Sequence, residues 1–221
     1  MYVCNMKINE QIAQKVSESL LQIKAIKLDN TNPFTWASGL KSPIYCDNRI
    51  TLSFPEIRTY IKQEFANRIN EEFENAELIA GVATGAIAQG VLVAQEMGLP
   101  FAYVRSSSKA HGLTNQIEGK VHEGQSVVVV EDLISTGKSS LAAVAALRAA
   151  GCNVIGMIAI FTYNLPIAKE NFEKANCKLI TLADYETMIR IAADNKYVSS
   201  SDIQSLVKWK DNPQAWSENR K

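Results

Sequence analysis

Val127-Val128-Val129-Val130-Glu131-Asp132-Leu133-Ile134-Ser135-Thr136-Gly137-Lys138-Ser139-Ser140 is the stretch whose reading decides the fold. Four successive valines form a continuous β-branched run, the pattern of a strand buried on both faces of a parallel sheet. The run is expected to end at two carboxylates; small, hydroxyl-bearing and glycine residues follow, then the helix-forming segment Leu141 to Arg148. First-turn N–H groups lack intrahelical partners and the helix dipole favours negative charge there, so strand, turn and helix together predict a phosphate cradle. Acids beside a phosphate site are explained if the ligand also carries a sugar. Glu131 and Asp132 then accept hydrogen bonds from ribose hydroxyls while Ser135 to Ser139 hold the phosphate. A Walker loop would share the ending Gly137-Lys138-Ser139, but it needs glycine at position 132, which is Asp.

Outward from this unit the chain alternates. Glu77 to Val82 and Pro100 to Val104 read as strands around an alanine-rich helix from Ala86 to Met97, and Val154 to Ile160 reads as a further strand after the helix Gly137 to Ala150. Strands separated by helices imply right-handed crossovers, hence an α/β fold with a parallel sheet and helices on both faces. Leu179 to Leu182 is a candidate additional strand, and the last forty residues read as helical and then polar, with Trp209 and Trp216 in the polar part. Ile8, Ile12, Val16, Leu20 and Ile23 mark an amphipathic helix over roughly residues 8 to 26. Phe34 to Asp47, with Pro33, Gly39 and Pro43 as breakers, reads as a turn-rich hairpin or as a loop and strand. Ser53, Pro55 and Glu56 predict a capping-box start to a helix whose stripe is Ile57, Ile61, Phe65, Ile69 and Phe73. The one long irregular stretch is Ser106 to Glu123, and connections of that size usually have a task.

The 221 residues suffice for one sizeable core, and 23 basic residues balance 23 acidic ones. Bulk charge therefore argues against nucleic acid or an anionic membrane surface as the main partner. Cys4, Cys46, Cys152 and Cys177 are scattered with no CxxC pair, which predicts reduced thiols and no zinc site. No signal-peptide succession and no apolar run of membrane-spanning length is present, so a soluble cytoplasmic protein is expected.

The central segment resembles the phosphoribosyl-pyrophosphate (PRPP) signature of the type I phosphoribosyltransferases. Phe34-Thr35-Trp36-Ala37-Ser38-Gly39-Leu40-Lys41-Ser42-Pro43-Ile44-Tyr45 is similar to the N-terminal substrate segment of the orotate phosphoribosyltransferases, and Arg105-Ser106-Ser107-Ser108-Lys109-Ala110-His111-Gly112 to their catalytic loop. The likeness in order and spacing runs from about residue 30 to about residue 165. It implies a type I phosphoribosyltransferase fold with a small N-terminal hood over about residues 1–50, an α/β core over about 51–195 and a C-terminal helix and tail over about 196–221, one domain in all. The activity implied is transfer of phosphoribose from PRPP to orotate in pyrimidine nucleotide synthesis. A PRPP-binding regulator of the same fold and a transferase acting on a purine base are the alternatives.

The resemblance also assigns residues. Lys109, His111 and Asp132 would be catalytic. PRPP would be bound by Arg105, Lys109, His111, Glu131, Asp132, Leu133, Ile134, Ser135, Thr136, Gly137, Lys138 and Ser139. Orotate would meet Ser135 and Lys41, with Arg49 a second candidate for its carboxylate. Cations near the diphosphate suit a leaving group that gains negative charge. Gly81-Val82-Ala83-Thr84-Gly85 either touches the diphosphate through backbone N–H groups or has its glycines for turn geometry alone. Mg2+ would be held mainly by PRPP itself, with no dedicated protein cage. A homodimer whose lids reach across subunits is implied by the resemblance alone. The chain departs from the pattern of some members at Ala37, where they carry lysine, at Thr162-Tyr163-Asn164, where they carry arginine, and at Ser106 to Ser108, where many carry a further lysine.

Overall fold

A computed structural model of the chain describes residues 8–36, 38–105 and 116–220. Its elements in chain order are α1 (Glu10–Gln22), β1 (Ile26–Leu28), β2 (Phe34–Thr35), β3 (Lys41–Ser42), β4 (Ile44–Cys46), a 3₁₀ helix (Asn48–Ser53), α2 (Pro55–Glu72), β5 (Leu78–Val82), α3 (Ile87–Met97), β6 (Phe101–Val104) and β7 (Ile117–Glu118). Then follow β8 (Ser126–Ile134), α4 (Lys138–Ala149), β9 (Asn153–Thr162), α5 (Pro166–Lys174), β10 (Leu179–Asp184), α6 (Tyr185–Asp194), α7 (Ser200–Asp211) and α8 (Pro213–Glu218).

Six strands form the main sheet in the order β10-β9-β8-β5-β6-β7, parallel throughout except for β7, which runs antiparallel to β6. The valine run does what its composition demands. Val127 and Val129 pack into one core cluster and Val128 and Val130 into the other, and none of the four has accessible surface. The first cluster is closed by α4 and α5 through Leu147 and Phe172; the second by α1, α2, α3 and the C-terminal helices through residues such as Leu20, Phe65 and Trp209.

This layering positions the site. β5 and β8 are adjacent, yet the helices that follow them, α3 and α4, lie on opposite faces. A crevice opens beyond the carboxyl ends of such a pair, where open α/β sheets take their ligands.

Several elements differ from the sequence reading. β8 does not stop at the acids but continues through Glu131 and Asp132 to Ile134, because β9 goes on pairing with it as far as Thr162 after the β5 ladder has ended at Val130. Cross-strand partners thus outweigh the low strand preference of acidic residues. Helix α1 ends at Gln22, with Lys24 at φ 58, and frees Ile26–Leu28 to pair antiparallel with β4. Ser53 makes no capping box: it closes the 3₁₀ helix, Phe54 is the N-cap residue without a side-chain bond, and α2 enters through Pro55, which has no N–H to satisfy. Ser106 to Glu123 is not irregular throughout, since it contains β7. The C-terminal part is helical rather than a polar tail, and both its tryptophans are buried. No described helix is long and apolar enough to cross a membrane.

Candidate active site

At the end of β8 the two acids have different surroundings. Glu131 is only 5% exposed; the Ser140 hydroxyl donates to its Oε2 at 2.8 Å and the Asp132 N–H to its Oε1 at 2.9 Å. Burial pushes its carboxyl well above the usual carboxylate range, and the neighbouring Asp132 charge adds to the effect. Asp132 is half-buried at the crevice, and its main-chain carbonyl accepts from Asn48 Nδ2 at 2.6 Å. Its carboxylate occupies the space a side chain at Gly85 would need: a Cβ there would lie 2.3 Å from Oδ2. The turn after β5, in which the Ala83–Thr84 peptide is cis, is thereby brought against the acid at the end of β8.

The turn that follows is shaped by its glycine. Gly137 is the N-cap residue of α4 at φ +77, and a Cβ would sit 2.6 Å from the Phe172 ring, so both backbone angle and space exclude a side chain. The first intrahelical bond runs from Leu141 N–H to Gly137 O, which leaves the N–H groups before it without an intrahelical partner, that of Lys138 making a long 3.4 Å bond to Thr136 Oγ1. Asn171 of α5 braces the turn by donating to Thr136 O at 2.9 Å. Thr136, Lys138 and Ser139 are exposed and Ser135 is half-buried. Leu133 and Ile134 place their side chains in the core, Ile134 fully, and its carbonyl accepts from Tyr163 N–H at 3.0 Å. What these two can offer a ligand is main chain.

The N-terminal segment reaches the same edge. β2 and β3 form a two-stranded hairpin in which Lys41 Nζ donates to Thr35 Oγ1 at 2.8 Å. Arg49 holds Asp47 through paired bonds of 2.6 and 2.8 Å, which keep the Asp47 carboxyl below its usual range, and the Asp132 charge also favours the charged guanidinium. Of the two cations considered for a substrate carboxylate, Arg49 already has an acid and Lys41 a neutral hydroxyl.

Arg105 leaves β6 with its N–H bonded to Gln116 O at 2.8 Å and its guanidinium 3.4 Å from Glu118. Both ends of the intervening segment therefore meet at one edge of the sheet. Lys109 and His111 lie outside the described residues. Sequence reasoning missed Asn48, Ser140 and Asn171, which are distant in sequence or carry no motif, whereas the Gly81–Gly85 turn was signalled by its glycines. Cys46, Cys152 and Cys177 are buried and carry no disulfide.

The phosphoribosyl transferase domain family matches residues 50–196. The chain is 54% identical over 205 residues to an orotate phosphoribosyltransferase of Porphyromonas gingivalis, covering 93% of this chain and 98% of that one. It is 52% identical over 207 residues to an orotate phosphoribosyltransferase of Streptococcus thermophilus, covering 94% and 99%. Among solved structures, orotate phosphoribosyltransferase from Aeropyrum pernix superposes with a TM-score of 0.72 at 25% identity, covering 83% of this chain and 99% of that one.

Proposed function

The chain belongs to the phosphoribosyl transferase family and, within it, to the orotate phosphoribosyltransferases, and on that premise we propose that PRPP lies across the β5/β8 crevice, its ribose on Asp132 and its 5'-phosphate on the Ser135–Ser139 turn. A bond forms between N1 of orotate and C1 of the sugar as N1 gives up its proton to the departing diphosphate or to solvent. The bond from C1 to the diphosphate oxygen breaks, and its electron pair leaves with pyrophosphate, giving orotidine 5'-monophosphate. Positive charge grows on the sugar and negative charge on the leaving group, so an acid belongs beside the former and cations around the latter.

Asp132 fits the first requirement. Its half-exposed carboxylate accepts from the ribose hydroxyls and offsets charge on the ring. Glu131, whose oxygens are engaged by Ser140 and by the Asp132 N–H, acts by holding the end of the strand in place. The turn receives the 5'-phosphate through main-chain N–H groups and the hydroxyls of Thr136 and Ser139, with Lys138 adding charge. Arg105, Lys109 and His111 meet the diphosphate, and the segment that carries the last two closes over the site of the partner subunit in a homodimer. The Gly81–Gly85 turn, already against Asp132, lies beside the same diphosphate. Orotate is gripped by Ser135 and by Lys41, which meets its carboxylate.

Mg2+ would be held mainly by PRPP itself, with the half-exposed Asp132 carboxylate at hand to offer it a hard oxygen, and it would supply positive charge where the diphosphate leaves. The whole chain works as one domain in the cytoplasm.

The observation that carries this reading is the juxtaposition, across one strand-end crevice, of the Asp132 carboxylate, the Gly85 turn and the α4 N-terminus. The test follows the loss of orotate absorbance with PRPP and Mg2+, beside adenine, hypoxanthine and uracil in parallel. Turnover of orotate alone is expected. Turnover of a purine with none of orotate would overturn the assignment.

A further inference from the structure

The hairpin of β2 and β3 stands apart from the main sheet and has two residues in each strand. An isolated two-stranded hairpin is marginal in water, so something else must hold this one in its orientation. The C-terminal helices do so at three points. Ser217 of α8, buried at 4% exposure, accepts the main-chain N–H of Lys41 at 2.9 Å. Trp209 of α7, with no accessible surface, packs edge-on to Trp36 at 5.6 Å between centroids. Asn30, just before the hairpin, donates to Asp202 at 3.0 Å and accepts from Ser205 at 2.7 Å.

The contact continues to the catalytic edge. Trp36 stacks on Tyr163 at 5.2 Å, Trp209 meets the same ring edge-on at 5.6 Å, and Tyr163 N–H bonds to Ile134 at the start of the phosphate turn. One aromatic cluster thus links the C-terminal helices, the hairpin and the end of β8.

We propose that α7 and α8 form a clasp that sets the base-binding hairpin against the crevice, with Ser217 and Trp209 as positioning residues for the pyrimidine substrate. The proposal rests on the reading that the hairpin, through Lys41, holds orotate. The geometry favours this role over general stabilisation because Ser217 bonds the main chain of the very residue that presents the cation. Its loss would loosen Lys41 while leaving Asp132 and the phosphate turn as they are.

The test compares Ser217→Ala, Trp209→Ala and Trp209→Phe with the wild-type chain, measuring KM for orotate and for PRPP separately, kcat, and melting temperature. Ser217→Ala is expected to raise the orotate KM about fivefold, the equivalent of one hydrogen bond, with the PRPP KM within about twofold. Trp209→Ala should raise the orotate KM further. Trp209→Phe should recover most of that loss, because it keeps a ring and removes an indole N–H that has no acceptor in the structure. Should Trp209→Ala fail to fold, Ser217→Ala and Trp209→Phe still decide the matter. Equal shifts in both KM values, or a fall in kcat alone in proportion to the folded fraction, would overturn the clasp. Lys41→Ala, run alongside, probes the reading beneath it: an unchanged orotate KM in that variant defeats the role of Lys41, whereas a raised one with Ser217→Ala unaffected defeats the clasp alone.

Discussion

Gly85→Ala isolates the contact between the two strand-end turns. No positive φ is recorded at Gly85, so alanine is not excluded by backbone geometry, but its Cβ would lie 2.3 Å from Asp132 Oδ2, 2.5 Å from Cγ and 2.7 Å from Oδ1. Ordinary van der Waals contact begins at 3.4 Å, so the carboxylate must retreat by about 1 Å or the turn must open by as much. Because Asp132 is half-exposed rather than buried, the stability cost should stay near the low end of the ~1–3 kcal/mol typical of overpacking. Catalysis is less forgiving. A misplacement of that size at a reacting group costs on the order of a hundredfold in rate. The assay is steady-state orotate consumption at varied PRPP, paired with thermal unfolding. The expected result is a fall in kcat/KM for PRPP of roughly two orders of magnitude with a melting temperature close to wild type. A variant that folds, melts normally and turns over PRPP at the wild-type rate would refute the assignment of Asp132 to the sugar.

Asp132→Asn should weaken PRPP binding far more than orotate binding, and isothermal titration with each ligand separately would contradict this if both weaken alike. Lys109→Ala should lower turnover by about two orders of magnitude or more with little change in melting temperature; wild-type turnover in the folded variant would remove that residue from the leaving-group site. Asp184 caps α6 through a 2.8 Å bond from Thr187 N–H, and burial raises its carboxyl above 3.8. A raised folded-state value means that ionisation costs the folded protein, so wild-type stability contributed by this group is present below pH 3.8 and lost as pH rises through the folded value. Asp184→Asn keeps the cap and removes the titration, so its melting temperature should match wild type in acid, exceed it by a margin that grows as pH rises through the folded value, and keep a constant margin above that. A gap that does not vary with pH would contradict the assignment.

Much of the sheet was legible because β-branched runs and alternating helices carry their own signal. The valine run predicted a two-sided buried strand, and the structure splits its residues between both core clusters. What escaped depends on partners far along the chain. The extension of β8 through its acids is dictated by β9, and β7 is two residues long, too short to show a period. Helix α5 was not foreseen, although Pro166 at its start and the spacing of Ala168 and Phe172 are consistent with one. At the site, the turn between β8 and α4 could be read from composition, because glycine and small hydroxyl-bearing residues ahead of a helix-forming run mark a strand-to-helix turn. The bracing of Glu131 by Ser140, of Asp132 by Asn48 and of the hairpin by Ser217 could not, since each is a single polar side chain meeting its target only after the chain has folded.

The measurement that bears most directly on the account is a crystal structure of the full chain with PRPP and Mg2+ bound. The ribose hydroxyls should lie within hydrogen-bonding distance of the Asp132 carboxylate, with the 5'-phosphate against the N–H groups between Thr136 and Ser139. Density for the sugar phosphate elsewhere on the protein, with the β5/β8 crevice left to solvent, would contradict it.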